Sequence, residues 1–196
     1  YLISPNNIKN NDFYVNLKQV LSSNKVNFFQ LRLKKEKIKK KIIIAKKIKK
    51  ICKKYKVKFL VNDDPILAKK INADGCHLGQ KDMNILKARK ILKNKIIGIT
   101  CHNSINLAKK AIADGANYLA FGAFYSSKTK KVGYKARLRI LSLAKELTNT
   151  PVVAIGGIKD TNYKKLLLNK ANFLAISNYI WNNKKLNPKE AINKLI

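Results

Sequence analysis

The run FLVNDDPILAKKINADGCHLGQKD, Phe59 to Asp82, decides the fold of this chain. Phe59-Leu60-Val61 is a short apolar stretch of strand formers. It stops at Asn62-Asp63-Asp64-Pro65, a strand end followed by a helix start with proline in its first turn. Ile66, Leu67, Lys69, Lys70 and Ile71 give one short helix, and Ala73-Asp74-Gly75 turns the chain into a second apolar segment, Cys76-His77-Leu78, ending at Gly79-Gln80-Lys81-Asp82. Two strands joined by one short helix form a βαβ unit with parallel strands, so Asp63 and Asp82 fall at the same, carboxyl, edge.

Acidic residues are scarce: 10 Asp and Glu stand against 43 Lys and Arg. Asp63, Asp64, Asp74 and Asp82 nevertheless crowd into this one stretch. Two carboxylates at one sheet edge, sharing a phosphate, are a way to hold Mg²⁺. The alternative is that Asp63 and Asp64 cap the helix that follows them and Asp82 the next, since all are good N-cap residues.

The same rhythm runs outward in both directions. Strands are expected over residues 2–3, 26–32, 96–100, 116–121, 151–155 and 173–177, and helices over 13–23, 84–93, 104–114, 136–147, 160–169 and 188–195. From Lys35 to Tyr55 the apolar residues Ile38, Ile42, Ala45, Ile48, Ile51, Cys52 and Tyr55 recur at spacings of three and four, a long amphipathic helix with a lysine-covered face. Eight strand–helix alternations within 196 residues predict one α/β domain over residues 1–196, a single (β/α)₈ TIM barrel. A doubly wound sheet of this length usually has fewer strands.

Composition narrows the setting. No apolar run is long enough to span a membrane. The start, Tyr1-Leu2-Ile3-Ser4-Pro5, lacks a basic segment and a long apolar one, which argues against a signal peptide; the missing initiator Met leaves room for a few preceding residues. Cys52, Cys76 and Cys101 are widely spaced and form no CxxC pair, so neither zinc nor a disulfide framework is expected, and a reducing cytoplasmic setting fits. The formal charge of +33 is spread as lysine over nearly every helix, with few arginines. Nucleic-acid binders gather such charge on one face, so the bias reads as compositional, and its field would draw anionic substrates.

In a barrel the active site lies where the strands end. Strand two ends Gln30-Leu31-Arg32-Leu33-Lys34; alternate residues share a face, so Gln30, Arg32 and Lys34 are expected to point together into the mouth, where an anion such as pyrophosphate would suit them. Strand five ends at Thr100. Strand six opens a loop, Gly122 to Lys130, whose hydroxyls, amides and lysines suit a phosphate. Gly156-Gly157 after strand seven and Ile176-Ser177 after strand eight occupy the places of the usual barrel phosphate site. His77 lies on a barrel strand near the mouth and is as well suited to shaping it as to chemistry. Cys101 and His102 are neighbours and so point apart.

QLRLK (30–34), VNDD (61–64), DGCHLGQKD (74–82), GITCHN (98–103), GAFYSSKTK (122–130), VVAIGGI (152–158) and LAIS (174–177), in this order, resemble the thiamine-phosphate synthase family. The resemblance spans essentially the whole chain. It implies a Mg²⁺-dependent transferase of thiamine biosynthesis that condenses hydroxymethylpyrimidine diphosphate with a thiazole phosphate. By it, Gln30, Arg32, Lys34, Asn62 and Lys130 hold the pyrimidine diphosphate, and Asp63 and Asp82 hold the metal. Thr100 matches a pyrimidine-contacting Ser. Ser127 and Thr129 match two Thr that bind the thiazole phosphate, and Gly157, Ile176 and Ser177 complete that site. The leaving pyrophosphate would be stabilised by Arg32, Lys34 and Lys130, with no nucleophilic side chain. Leu33 stands where an acidic residue is common, Ala123 where Pro is frequent, and the loop after Lys130 is short.

The rival of the same fold is a thiazole tautomerase, which binds no diphosphate and would not need Arg32, Lys34, Asp63, Asp82 and Lys130 together. The rival of another class is a basic nucleic-acid-binding protein, indifferent to Mg²⁺. The expected partners are the two small-molecule substrates, with no nucleic acid and no membrane, and an exposed apolar helix face leaves room for a homodimer.

Overall fold

A computed structural model describes residues 1–126 and 133–195 of the chain. Its strands are β1 (Leu2–Ile3), β2 (Phe28–Leu31), β3 (Lys58–Asn62), β4 (Gly75–Leu78), β5 (Ile96–His102), β6 (Tyr118–Phe121), β7 (Val152–Ile155) and β8 (Phe173–Ala175). They form one sheet in the order β1 to β8, each neighbouring pair parallel. A parallel bridge from Leu2 to Ile176 closes the ring, with the Ile3 N–H donating to the Ile176 carbonyl at 2.8 Å and the Ile176 N–H to the Tyr1 carbonyl at 2.9 Å. The (β/α)₈ barrel read from the sequence is thus the fold.

The helices begin where short polar side chains can satisfy their first amides. Asp64 accepts from the Leu67 N–H at 2.8 Å to open α3 (Pro65–Lys70), Asn84 from Lys87 at 2.9 Å to open α4 (Ile85–Leu92), and Ser104 from Leu107 at 3.2 Å to open α5 (Ile105–Ala113). Of the acidic residues weighed as caps, Asp64 is one, whereas Asp63 and Asp82 are not. α1 (Asp12–Leu21) and α2 (Ile38–Lys54) bury Leu17, Val20, Ile44, Ala45 and Ile48 and turn their lysines to solvent.

Most element ends shift by one to three residues, and three of the shifts bear on the site. The helix expected from residue 136 is α6 (Arg139–Leu147), because the Ala136 N–H donates to the Ala123 carbonyl at 2.9 Å and the Arg137 N–H to Asn103 Oδ1 at 3.0 Å, so both are tied to the barrel rim. The helix expected over 160–169 shrinks to α7 (Lys164–Leu168). Asn162 holds the preceding turn, accepting from the Lys159 N–H at 2.9 Å and donating to the Gly157 carbonyl at 3.0 Å. Strand β8 stops at Ala175, and a helical turn unforeseen in the sequence, α8 (Asn178–Trp181), follows, pinned by Trp181 Nε1 donating to the Ile3 carbonyl at 2.7 Å. The chain closes with α9 (Pro188–Asn193).

Two layers of core result. The outer one, between barrel and helices, is apolar and includes Phe29, Phe59, Leu78, Ile97 and Leu119, all fully buried. The inner one holds Ile3, Leu60, Tyr118, Ala120, Val153 and Ala175. Gly98 is required here: a β-carbon at that position would run into the Tyr118 ring. Above this inner layer the barrel interior turns polar, and the candidate site begins. Among the described residues no helix is long and apolar enough to cross a membrane.

Candidate active site

Strand alternation decides which side chains reach the mouth. In register, Asn62 on β3 pairs with His77 on β4, and His77 with Gly98 on β5. Asn62, His77 and Thr100 therefore form the floor, with Gln30 of β2 beside them. Gln30 is buried, and its Nε2 donates to Asn62 Oδ1 at 2.6 Å. Expected in the mouth alongside Arg32 and Lys34, it lies one layer below, where it orients Asn62.

Arg32 and Lys34 diverge. Arg32 lines the central cavity and donates from Nη1 to Asn6 Oδ1 at 2.5 Å, with its own backbone N–H held by Ser4 Oγ at 2.9 Å. Burial lowers the Arg32 pKa, and the nearby Asp63 charge opposes that. Lys34 is half exposed and its Nζ lies 3.0 Å from Asp63 Oδ2.

Asp63 follows β3 with a φ of 65°, in the left-handed region, its N–H donating to the His77 carbonyl at 2.8 Å. After that turn its carboxyl lies close enough to Asp82 for each to shift the other's protonation. Asp82 also accepts from the Gly79 N–H at 2.7 Å. Burial raises both carboxyls. At Asp63 the neighbouring Asp82 carboxyl and the Lys34 ammonium outweigh that and bring it below the usual carboxylate range, while Asp63 pushes Asp82 further up.

A cavity of about 210 Å³ occupies the centre of the mouth, lined by Arg32, Thr100, Ala123, Gly157 and Ser177 among others. Its far wall is backbone. Gly156 and Gly157 adopt φ values of 106° and 63°; a β-carbon on Gly156 would strike Ala123 and one on Gly157 the Ser126 carbonyl and Tyr125. Ser177 donates from Oγ to the Ser4 carbonyl at 3.1 Å. Ile176 lines the cavity, but its N–H is engaged by Tyr1 in closing the barrel. Ser127, Thr129 and Lys130 lie outside the described residues.

Several contributors were not singled out from the sequence. Tyr1 and Tyr118 join the floor: Tyr118 Oη lies 2.8 Å from His77 Nδ1 and 2.7 Å from Tyr1 Oη. Ser4 and Asn6 position Arg32, and Tyr134 stacks on His102 with ring centroids 4.0 Å apart. His77 is buried, and desolvation lowers its pKa to about 4, so its imidazole is neutral. Cys101 is buried and points away from His102's cavity-lining ring, and burial pushes its thiol up to about 12.

With this geometry in place, the likeness to known proteins is specific. Residues 1–180 match the family model described as thiamine monophosphate synthase. The chain is 73% identical over 195 residues to the thiamine-phosphate synthase of Pelagibacter ubique (strain HTCC1062), covering 100% of this chain and 94% of that protein. It is 43% identical over 152 residues to that of Saccharophagus degradans, covering 77% and 70%. The solved thiamine phosphate pyrophosphorylase from Pyrococcus furiosus superposes with a TM-score of 0.86 at 27% identity, covering 100% of this chain and 92% of that one.

Proposed function

The chain belongs to the thiamine monophosphate synthase family, and from that premise we propose how its mouth carries out the reaction. It is a transferase that joins 4-amino-2-methyl-5-hydroxymethylpyrimidine diphosphate to 4-methyl-5-(2-phosphoethyl)thiazole, giving thiamine phosphate and pyrophosphate. One observation carries the assignment of roles. Arg32 of the charged cluster lines one side of the cavity, with the Asp63 charge beside it, and the backbone of Gly156, Gly157 and Ser177 lines the other, so two anionic substrates can meet tail-outward with their reactive ends between them.

On the charged rim, Arg32, Lys34 and Lys130 receive the diphosphate. Asn62, held by Gln30, and Thr100 receive the pyrimidine ring. On the backbone rim, the amides of Gly157 and Ser177, with Ser127 and Thr129, receive the thiazole phosphate. Ile176 serves by placing Ser177, since its own N–H is taken.

The donor set fits Mg²⁺: Asp63 and Asp82 offer neighbouring hard carboxylate oxygens, and a cation between them would relieve their mutual repulsion. Among the described residues no group of three or more His, Cys, Asp or Glu could hold a metal, so Asp63 and Asp82 would hold the ion together with oxygens from substrate or water. When bound, the ion supplies charge neutralisation to the diphosphate.

The chain's own residues do the rest. The bond from the pyrimidine methylene to the diphosphate oxygen breaks, and its electron pair departs with pyrophosphate, stabilised by Arg32, Lys34 and Lys130. The thiazole nitrogen, held across the cavity, gives its lone pair to the methylene cation and forms the new C–N bond. No side chain acts as nucleophile, in keeping with three buried cysteines. The test is pyrophosphate release by purified protein: it should need both substrates and Mg²⁺. Release with the pyrimidine diphosphate alone, at the same rate, would contradict the proposed division between rims.

A further inference from the structure

Six side chains on the floor of the mouth make one unbroken run of hydrogen bonds: Thr100 Oγ1 to His77 Nε2 at 2.9 Å, His77 Nδ1 to Tyr118 Oη at 2.8 Å, Tyr118 Oη to Tyr1 Oη at 2.7 Å, Tyr1 Oη to Gln30 Oε1 at 3.1 Å, and Gln30 Nε2 to Asn62 Oδ1 at 2.6 Å. The run enters the protein at the cavity-lining Thr100, passes through the barrel's inner core at Tyr118, and ends at Asn62, partly buried at the end of β3.

Counting protons gives it a direction, because a hydroxyl has one to donate. The Tyr1 hydroxyl donates to the Gln30 carbonyl oxygen, so between the two tyrosines Tyr118 is the donor. With its proton spent, the Tyr118 oxygen accepts from His77 Nδ1–H. Both His77 ring nitrogens face uncharged hydroxyls in a buried setting, the arrangement of a neutral ring; with Nδ1 carrying its one proton, Nε2 accepts from the Thr100 hydroxyl. Thr100 thus turns only lone pairs toward the cavity. At the other end Gln30 fills the Asn62 oxygen, so Asn62 turns its NH₂ outward.

We propose that this directed relay makes Thr100 an obligate acceptor and Asn62 an obligate donor, and thereby selects an aminopyrimidine diphosphate over its 4-oxo counterpart. The inference rests on the function given above. The amino group is the only N–H donor on the substrate ring, so an acceptor-only oxygen can meet nothing else there; the ring nitrogens and the diphosphate are acceptors and suit Asn62. An oxo group in the amino position would set two oxygens against each other. The contact also aids the reaction: the amino group feeds electrons into the ring as the cation forms, its N–H becomes more acidic, and the hydrogen bond to Thr100 strengthens in the transition state. His77, Tyr118 and Tyr1 are accordingly positioning residues.

The first readout is the His77 tautomer in ¹⁵N-labelled free protein. The chain has 2 histidines, and His102→Gln assigns the signals. A neutral ring protonated at Nδ1 is expected. The second readout is binding of the aminopyrimidine diphosphate and of its 4-oxo analogue with the thiazole phosphate left out, so that no coupling occurs. The amino compound should bind about a hundredfold more tightly. In Tyr118→Phe, which keeps the ring that fills the space over Gly98, the His77 ring loses its fixed acceptor and the preference should fall below about tenfold. An Nε2–H tautomer, an imidazolium, or a preference unchanged in Tyr118→Phe would overturn the relay. Those results alongside normal thiamine phosphate formation leave the synthase reading intact, whereas the expected tautomer with no pyrophosphate release would fail the function and not the relay.

Discussion

At the ends of β3 and β4 the working groups are side chains; at the ends of β7 and β8 they are backbone. Asp63, Asp82 and Lys34 form a charged set in which Lys34 offsets Asp63 while Asp82 faces Asp63 as a second carboxylate. Gly156 and Gly157 present amides from backbone conformations that exclude side chains altogether. The difference follows from the two ligands. A diphosphate that must leave needs strong, concentrated charge, which acts on the transition state. A phosphate that only anchors needs directional donors that hold it without competing for metal or proton.

The charged rim should therefore be the more sensitive in rate and the less important to stability. Asp82→Asn should lower kcat/KM by about a thousandfold, roughly 4 kcal/mol. Its melting temperature without Mg²⁺ should hold or rise, because the neutral amide can still accept from the Gly79 N–H while no longer facing Asp63 as a second carboxylate. Thermal melts and steady-state kinetics on one preparation decide it. A large drop in melting temperature would show that the pair is a structural element.

The floor between the rims should show itself in pH. Burial lowers His77 from 6.5 to about 4, so the unfolded chain takes up a proton there that the folded one refuses. The stability from this residue is complete above pH 6.5 and is lost as pH falls toward 4, by about 3 kcal/mol. Denaturant midpoints at a series of pH values should fall across that window in the native protein and much less in His77→Gln. Equal slopes would assign the loss to the carboxylates.

The contrast between the rims also explains what could be read beforehand. The barrel was legible because its strands stop at strong punctuation, Asn62-Asp63-Asp64-Pro65 and Gly156-Gly157, and because lysine and isoleucine alternate at helical spacing on α2. The charged rim was legible too, since carboxylates are rare in this chain and charged residues on an inward strand face demand a reason. Naming Gly157, Ile176 and Ser177 depended on resemblance, because a Gly-Gly pair alone reads equally as a tight turn. Tyr1 and Tyr118 escaped entirely: an inward tyrosine looks like core, and its partners lie across the barrel at separations no local pattern records. The starts of α6 and α7 were misplaced for a related reason, as their amides and turns are held by Ala123, Asn103 and Gly157, residues distant in sequence or on the opposite side of a turn.

On the backbone rim, a side chain is the damaging change. Gly157→Ala forces alanine into a φ of 63° against the Ser126 carbonyl, at a cost of about 2 kcal/mol in stability. It should raise KM for the thiazole phosphate about thirtyfold and leave KM for the pyrimidine diphosphate near its native value. Gly115→Ala is the control. Its φ of 85° imposes similar backbone strain, but nothing lies within 4 Å of the added carbon, so it should cost about 1 kcal/mol of stability and no affinity.

The smallest effect should come from the one hydroxyl on that rim whose position is fixed by the barrel seam. Ser177 spends its proton on the Ser4 carbonyl, joining the end of β8 to the residue after β1, and it is the Ser177 amide, not the hydroxyl, that is assigned to the phosphate. Ser177→Ala keeps the amide and loses one partly buried hydrogen bond, worth about 1 kcal/mol. KM for the thiazole phosphate should then rise only threefold to tenfold, roughly, with kcat little changed. If KM instead rose by a hundredfold or more, the hydroxyl would be gripping the phosphate itself. The end of β8 would then contribute a side chain as well as an amide, and the contrast with β3 and β4 would be one of charge alone.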